Sequence, residues 1–273
     1  MKTAIIVANT QKQKSVEFAG IAKEFLISKG YRVQMYNDGD SVDKNASLAV
    51  VLGGDGTILR SAKRFYGLDI PLFGINFGHL GYLSEIGSET PMEGLSRLVS
   101  GNYEIENRLM LEGEVIRNGE VVLTFISLNE ASVHRSTLLH ALSLEVMINT
   151  KHTETLVGDG VIVATPTGST SYNLSAGGPV LTPTSNSIVI TPVCAKYFPH
   201  SSIVIDGGDE TEIEVSFETI NETGAPCVVV DGDIRFPLEN GDVIKVRRAQ
   251  HSAKIIKITD KSFYQILKEK LSK

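Results

Sequence analysis

Asp55 lies within Gly53-Gly54-Asp55-Gly56, a carboxylate set among three glycines. Glycines let a backbone approach a ligand closely and adopt positive φ where a turn requires it. The apolar run Leu48–Leu52 precedes this turn and the helix-like stretch Thr57–Ala62 follows it. The local order is therefore strand, glycine turn, helix. A helix start points free N–H groups at its surroundings and suits phosphate. A carboxylate repels phosphate, so it belongs there only with a task, accepting a proton from a hydroxyl or holding a metal ion. The plainer reading is a turn aspartate that caps the next helix. Gly53, Gly54 and Gly56 form either a tight turn or a phosphate cradle. Arg60, one turn into the helix, either reaches a phosphate or is a solvated surface arginine.

Two further segments carry polar groups at the ends of apolar runs. Asn129-Glu130 follows Phe125–Leu128. Asp159-Gly160 precedes Val161–Ala164, which runs into Thr165-Pro166-Thr167-Gly168-Ser169-Thr170-Ser171-Tyr172. Taken alone, each is an ordinary strand end or Ser/Thr-rich loop. Taken in order, with the glycine turn, they resemble the NAD kinase family over nearly the whole chain. That family carries GGDG, then NE, then a D-G…TPTGSTAY block. The GGDG turn is shared with lipid kinases, whereas the TPTGST block is much more specific. Ser171 stands where the family usually has Ala.

The resemblance implies a reaction and a site. Asp55 is the proton acceptor for the 2′-hydroxyl of the adenosine ribose of NAD, and ATP or another phosphoryl donor supplies the phosphate with Mg²⁺ or another divalent metal. An ordinary aspartate pKa of about 3.9 is too low to deprotonate a sugar hydroxyl in advance. Phosphoryl transfer is usually loose, so a carboxylate that takes the proton late is adequate. Gly53, Gly54, Gly56 and Arg60 hold phosphates. Asn129 and Glu130 bond adenine and ribose hydroxyls, since an amide both donates and accepts and a carboxylate accepts. Asp159 contacts the nicotinamide end. Thr167, Thr170, Ser171, Tyr172, Asn173 and Ser175 line the dinucleotide site, with Gly168 allowing close approach, and Gly56 and Asp55 belong to it too. His140 sits where some members place a nucleotide contact, though an isolated histidine is as often structural. Asp233, in Asp231-Gly232-Asp233, stands where Gln is common. The family's Arg-Pro pair after Pro199-His200-Ser201 is missing here. No residue is singled out as a resident metal ligand. A homodimer or homotetramer is implied.

Other functions fit less well. A diacylglycerol or sphingosine kinase would add a Gly-Thr-Gly-Asn-Asp block, which the chain lacks. A non-enzymatic dinucleotide sensor would have no need of Asp55. No Gly-x-Gly-x-x-Gly follows the first strand and no Walker-A motif occurs, which argues against a Rossmann dehydrogenase and a P-loop NTPase.

These groups need elements to hold them. Ala4–Ala8, Tyr31/Val33/Met35, Leu48–Leu52 and Ile70–Ile75 read as strands. Val16, Ala19, Ala22, Phe25 and Leu26 recur at helical spacing, with Gly30 placed to end the helix. Strands alternating with helices imply a doubly wound parallel α/β domain, whose ligands bind beyond the carboxyl ends of its strands. From about Glu106 the pattern turns to short strands, with Asn118-Gly119 a strong hairpin signal. The expected fold is therefore α/β plus β: residues 1–105 as the α/β domain and 106–260 as a C-terminal mainly β domain. A final helix over 261–273, with Phe263, Ile266, Leu267 and Leu271 on one face, packs back on the first domain in the family. With 273 residues, two such domains can each bury a core. A net charge of −6 argues against nucleic-acid binding. No apolar stretch approaches a membrane span. Cys194 and Cys227 are far apart and match no zinc spacing, so the reducing cytoplasm is the expected compartment.

Overall fold

In the computed structural model, which describes residues 1–78, 81–135, 141–196, 201–216 and 225–272, the unbroken apolar runs become strands covered on both faces. The elements are β1 (Thr3–Ala8), α1 (Gln13–Ser28), β2 (Arg32–Tyr36), β3 (Leu48–Leu52), α2 (Asp55–Arg64) and β4 (Leu72–Asn76). The sheet order is β2-β1-β3-β4, then Ala253–Lys257, then Glu104–Arg108; every pair is parallel except the last. One face carries Ala4, Ile6, Leu48, Val50, Phe73 and Ile75 against Phe18, Ala22 and Leu26 of α1 and Leu95 and Leu98 of the helix Pro91–Ser100. The other face receives α2: a Cβ on Gly74 would meet Ile58 at 2.4 Å. Burial on both faces explains why these strands are apolar throughout rather than alternating. Ala8 pairs with Leu52 and Leu52 with Ile75, so β1, β3 and β4 end level and their following loops share one edge of the sheet.

The chain divides into two units, Met1–Arg108 with His251–Lys273, and Leu109–Gln250. The expected boundary at residue 260 lies too late. Ile255 and Ile256, read as part of the β-rich domain, are fully buried in the first sheet, where Ile255 pairs with Leu72 of β4. A strand's partner is chosen in space, and the run itself carries no label of its sheet. The last helix, Phe263–Leu271, also belongs to the first unit, but only Ile266 on its apolar face is buried and Leu271 is 59% exposed. Likewise α1 buries Ser15, Phe18, Ala19, Ala22 and Leu26, leaving Val16 outside.

The second unit contains two six-stranded sheets, antiparallel throughout. One runs Lys151–Gly158, Leu142–Ile148, Thr211–Ser216, Val243–Arg248, Leu111–Arg117, Glu120–Ser127; the other Ile203–Asp206, Ser187–Val193, Gly160–Ala164, Glu130–His134, Cys227–Val230, Ile234–Pro237. Their inner faces share a core that includes Leu111, Phe125, Leu144, Val146 and Ile244 from the first, and Val133, Val161, Val163, Ile190 and Val228 from the second. Asn118 and Gly119, both at positive φ, close the expected hairpin. The outer face of the second sheet packs Ile162, Ala164 and Val189 against Tyr172, Ala176 and Leu181. The Ser/Thr-rich segment is thereby laid across one sheet. No helix among the described residues is long and apolar enough to cross a membrane.

Candidate functional site

In the first unit Asp55 opens α2, but its carboxylate does not cap that helix. It turns to the loop after β4 instead. The backbone N–H of Tyr82 donates to Oδ2 at 2.7 Å and that of Leu83 to Oδ1 at 3.3 Å. Gly81 makes this possible, because a Cβ there would lie 1.7 Å from Asp55 Oδ1. The loop itself is anchored: Ser84 Oγ accepts from the Gly81 N–H, and the buried Glu85 carboxylate accepts from Lys257, from the N–H groups of Ile258 and Thr259, and from the Thr259 hydroxyl. Residues from the far end of the chain thus hold the loop that orients Asp55.

The glycines behave differently from expectation. None of Gly53, Gly54 and Gly56 has positive φ. Gly53 is required by close packing, since its Cβ would meet Thr57 Oγ1 at 2.3 Å. Gly54 and Gly56 instead each adjoin a cation. Lys12 Nζ lies 3.7 Å from a Cβ position on Gly54 and 3.1 Å from one on Gly78, and Arg60 Nη1 lies 3.8 Å from one on Gly56. Neither cation has an ion pair among the described residues. Lys12 was missed by sequence reading; its only signal is its place just after β1, whose end is level with the glycine turn.

In the second unit Asn129-Glu130 is fixed by a residue that the motif reading passed over. The Asp231 carboxylate accepts from the Ser127 hydroxyl at 2.6 Å and from the N–H groups of Leu128 (3.0 Å), Asn129 (2.8 Å) and Glu130 (3.1 Å). Asp233, the expected contact, is exposed on the far side of the same turn, and its own N–H bonds to Val230 O. The fold distinguishes the two: Asp231 has φ of 49°, a conformation Asp tolerates in tight turns.

Glu130 is 7% exposed and its Oε2 has no hydrogen-bond partner. Burial, and then the Asp231 charge, raise its pKa to about 8, against an opposing hydrogen bond from Ser171. These surroundings favour its protonated form, which can donate as well as accept. The Asn129 side chain makes no hydrogen bond among the described residues. Tyr172 stacks at a tilt on His134, ring centroids 5.3 Å apart, and burial raises its pKa while lowering that of His134. Asp159 pairs with Arg135 at 2.9 Å. Thr170, Ser171 and Tyr172 are partly exposed, and Ser175 is exposed.

Part of the Ser/Thr-rich segment is structural. Thr165 Oγ1 donates to Leu128 O and accepts from the Gly168 N–H. Gly168 is needed because a Cβ would meet Asn129 O at 2.1 Å; the close approach is to the chain itself. Thr167 is buried as well. Asn173, expected as a ligand contact, is wholly buried: its amide donates to Ser169 O and Pro179 O and its oxygen accepts from Thr191. It buttresses the segment. His140 lies outside the described residues. Among the described residues no cluster of three or more His, Cys, Asp or Glu could hold a metal ion.

Within the first unit, a carboxylate aimed by backbone donors beside a glycine turn, with two cations in front of that turn, is the equipment of a phosphotransferase. Residues 38–103 match the ATP-NAD kinase N-terminal domain and residues 128–258 the ATP-NAD kinase C-terminal domain. The chain is 34% identical to an NAD kinase of Lachnoclostridium phytofermentans, covering 99% of each chain, and 36% identical to one of Agathobacter rectalis at the same coverage. Its fold is similar to yeast NADH kinase complexed with NADH (TM-score 0.86, 21% identity, 100% of this chain and 88% of that one). It is also similar to an NAD kinase from Archaeoglobus fulgidus in complex with ATP (TM-score 0.78, 23% identity, 100% and 99%). The chain belongs to the NAD kinase family.

Proposed function

We infer that the protein transfers the terminal phosphoryl group of ATP to the 2′-hydroxyl of the adenosine ribose of NAD, giving NADP. The observation that carries the mechanism is the Asp55 carboxylate, turned away from its own helix and held by two backbone N–H groups at the glycine turn. Asp55 aligns the hydroxyl and takes its proton late in the transfer. Lys12 and Arg60 face the donor phosphates. Asn129, neutral Glu130 and Ser171 read the adenosine end of NAD, and Asp159, Thr170 and Tyr172 the remainder. Mg²⁺ keeps most of its waters and is held by one or two carboxylates plus substrate phosphates rather than by a protein cage. A single carboxylate at Asp55 and the lack of a ligand cluster among the described residues fit such an ion. When bound with the donor it would neutralise charge on the transferring phosphate, and the Asp55 carboxylate would be available to hold it.

We place the enzyme in the cytoplasm, where the free Cys194 and Cys227 would stay reduced. Assembly as a homodimer or homotetramer is supported by the edge strand Glu120–Ser127, which exposes Val121 and Val122. The test of function is incubation with Mg²⁺, ATP and NAD⁺ and detection of NADP⁺ with an NADP-specific dehydrogenase. Phosphorylation of a diacylglycerol or sphingoid base without any NADP⁺ would move the protein to the lipid-kinase class.

A further inference from the structure

The loop after β4 meets Asp55 at Tyr82, and the side chain of Tyr82 meets the last helix. Lys270 Nζ lies over the Tyr82 ring, 5.1 Å from its centroid. The Tyr82 backbone N–H donates to Asp55 Oδ2 at 2.7 Å. We propose that Lys270 is a positioning residue for the phosphoryl transfer, acting through Tyr82 on the direction of the Asp55 carboxylate. The proposal rests on the kinase reading for its effect on turnover, and adds a residue that lies outside every motif of the sequence. Asp55, Tyr82 and Lys270 all belong to the first unit.

The later part of the loop is tied down without help from Lys270. The Glu85 N–H donates to Gly74 O in β4 at 3.0 Å, and the Glu85 carboxylate is bonded to Lys257, Ile258 and Thr259. Ser84 Oγ accepts from the Gly81 N–H at 3.0 Å, which closes the turn. Tyr82 sits inside that turn, and its N–H makes the shorter of the two bonds to Asp55. Its ring is the handle by which another element can fix it. Burial, and then the Asp55 charge, raise the pKa of its hydroxyl, so the phenol stays neutral. The face of a neutral aromatic ring carries partial negative charge and attracts a cation. Lys270 therefore holds the side chain of the residue whose backbone holds Asp55.

The last helix is built locally and docked lightly. Ser262 and Gln265 form a capping box at its start, and Lys261 pairs with Glu269 at 3.0 Å. Only Ile266 is buried. Lys270 follows Ile266 by four residues, so the two share a face, and Lys270 is half-buried while Lys268 and Glu269 are exposed. Lys270 has no ion pair among the described residues, so its charge is not spent on a carboxylate. A contact with so little apolar area around it contributes little to the stability of the unit. Its loss should fall on the residue that it touches, and through Tyr82 on turnover rather than on folding.

The test joins steady-state kinetics of NADP⁺ formation to amide hydrogen exchange read residue by residue by NMR, both on the full-length protein. Lys270→Met keeps the length of the side chain and removes the charge, whereas Lys270→Arg keeps a cation for the ring. In Lys270→Met the kcat should fall about three- to tenfold, the scale of a cation–π contact, with the KM for NAD unchanged. Exchange at the Tyr82 amide should quicken, while the amides of β4 and the melting temperature stay as in wild type. Lys270→Arg should restore both kcat and exchange. Added to Asp55→Asn, Lys270→Met should cost no further turnover, because the two act through one group. Either an unchanged kcat or an unchanged Tyr82 amide in Lys270→Met overturns the proposal, as does an undiminished further loss in the Asp55→Asn background. Lower melting with faster exchange throughout the first unit also overturns it, since Lys270 would then be an ordinary docking residue. The exchange measurement needs no turnover: a wild type that forms no NADP⁺ sinks the kinase reading, and the Tyr82 amide still decides whether Lys270 holds the loop.

Discussion

Each unit places one acidic side chain where a glycine or amide turn meets the end of a strand, and the two are treated in opposite ways. Asp55 in the first unit is partly open to solvent, and two backbone N–H groups converge on it. Glu130 in the second unit is buried, has an unpartnered oxygen and faces the Asp231 charge, while the backbone N–H groups of that turn go to Asp231 instead. Burial, and then the Asp231 charge, favour the protonated form of Glu130. A proton acceptor has to arrive at the reaction ionised. A group that reads a sugar or a base gains from being neutral, since it then offers both a donor and an acceptor. One chemical type serves two tasks because its surroundings differ.

The largest effect that would break this contrast is on turnover. Asp55→Asn keeps the size but cannot accept the proton, and its amide can satisfy only one of the two backbone donors. Turnover should fall by about 10²–10⁴-fold, with NAD affinity within a few-fold by calorimetry and only a small loss in melting temperature. Wild-type-like turnover in this variant would remove Asp55 from the mechanism.

The second test sharpens the other half. Glu130 holds its proton up to about pH 8 when folded and releases it near 4.5 when unfolded. Between those values the folded state binds the extra proton, so stability declines as pH rises from about 5 to about 8. At about 1.36 kcal/mol per pKa unit, the decline attributable to Glu130 is on the order of 3–4 kcal/mol. Glu130→Gln mimics the neutral acid and should abolish that part of the slope in urea unfolding measured from pH 5 to 9. Parallel curves for the two proteins would mean that Glu130 is ionised throughout.

The smallest of the three effects comes from Asp231, which holds the Asn129-Glu130 turn. Asp231→Ala leaves the Ser127 hydroxyl and three N–H groups without their acceptor. Water can reach part of this turn, so the expected loss is about 2–3 kcal/mol, the scale of unsatisfied buried donors. NAD affinity should fall too, because Asn129 and Glu130 lose their support, and by more than in Asp233→Ala. If Asp233→Ala weakens NAD binding and Asp231→Ala leaves it intact, the assignment of the turn is reversed.

Much of this was legible in the residues. Unbroken apolar runs marked the strands covered on both faces, Asn118-Gly119 marked a hairpin, and the ordered motifs marked the family. The misreadings share a cause. Ile255–Ile258 looks the same whichever sheet it joins. Asn173 sits among ligand-type residues, yet its amide is spent on Ser169, Pro179 and Thr191. Asp231 and Asp233 are two residues apart in one turn, and only the fold shows which faces inward.

The sequence by itself determined the kinds of element, the two architectures and the chemical inventory of the site, because period, turn residues and functional groups are local properties. Tertiary structure alone decided how those groups are set. The Asp55 carboxylate is aimed by a loop that Glu85 ties to Ile258 and Thr259, and Glu130 is pushed toward its protonated form by burial and by a carboxylate about a hundred residues away. Hydrogen-bond direction and desolvation depend on what surrounds a group in three dimensions, and no local pattern records its neighbours.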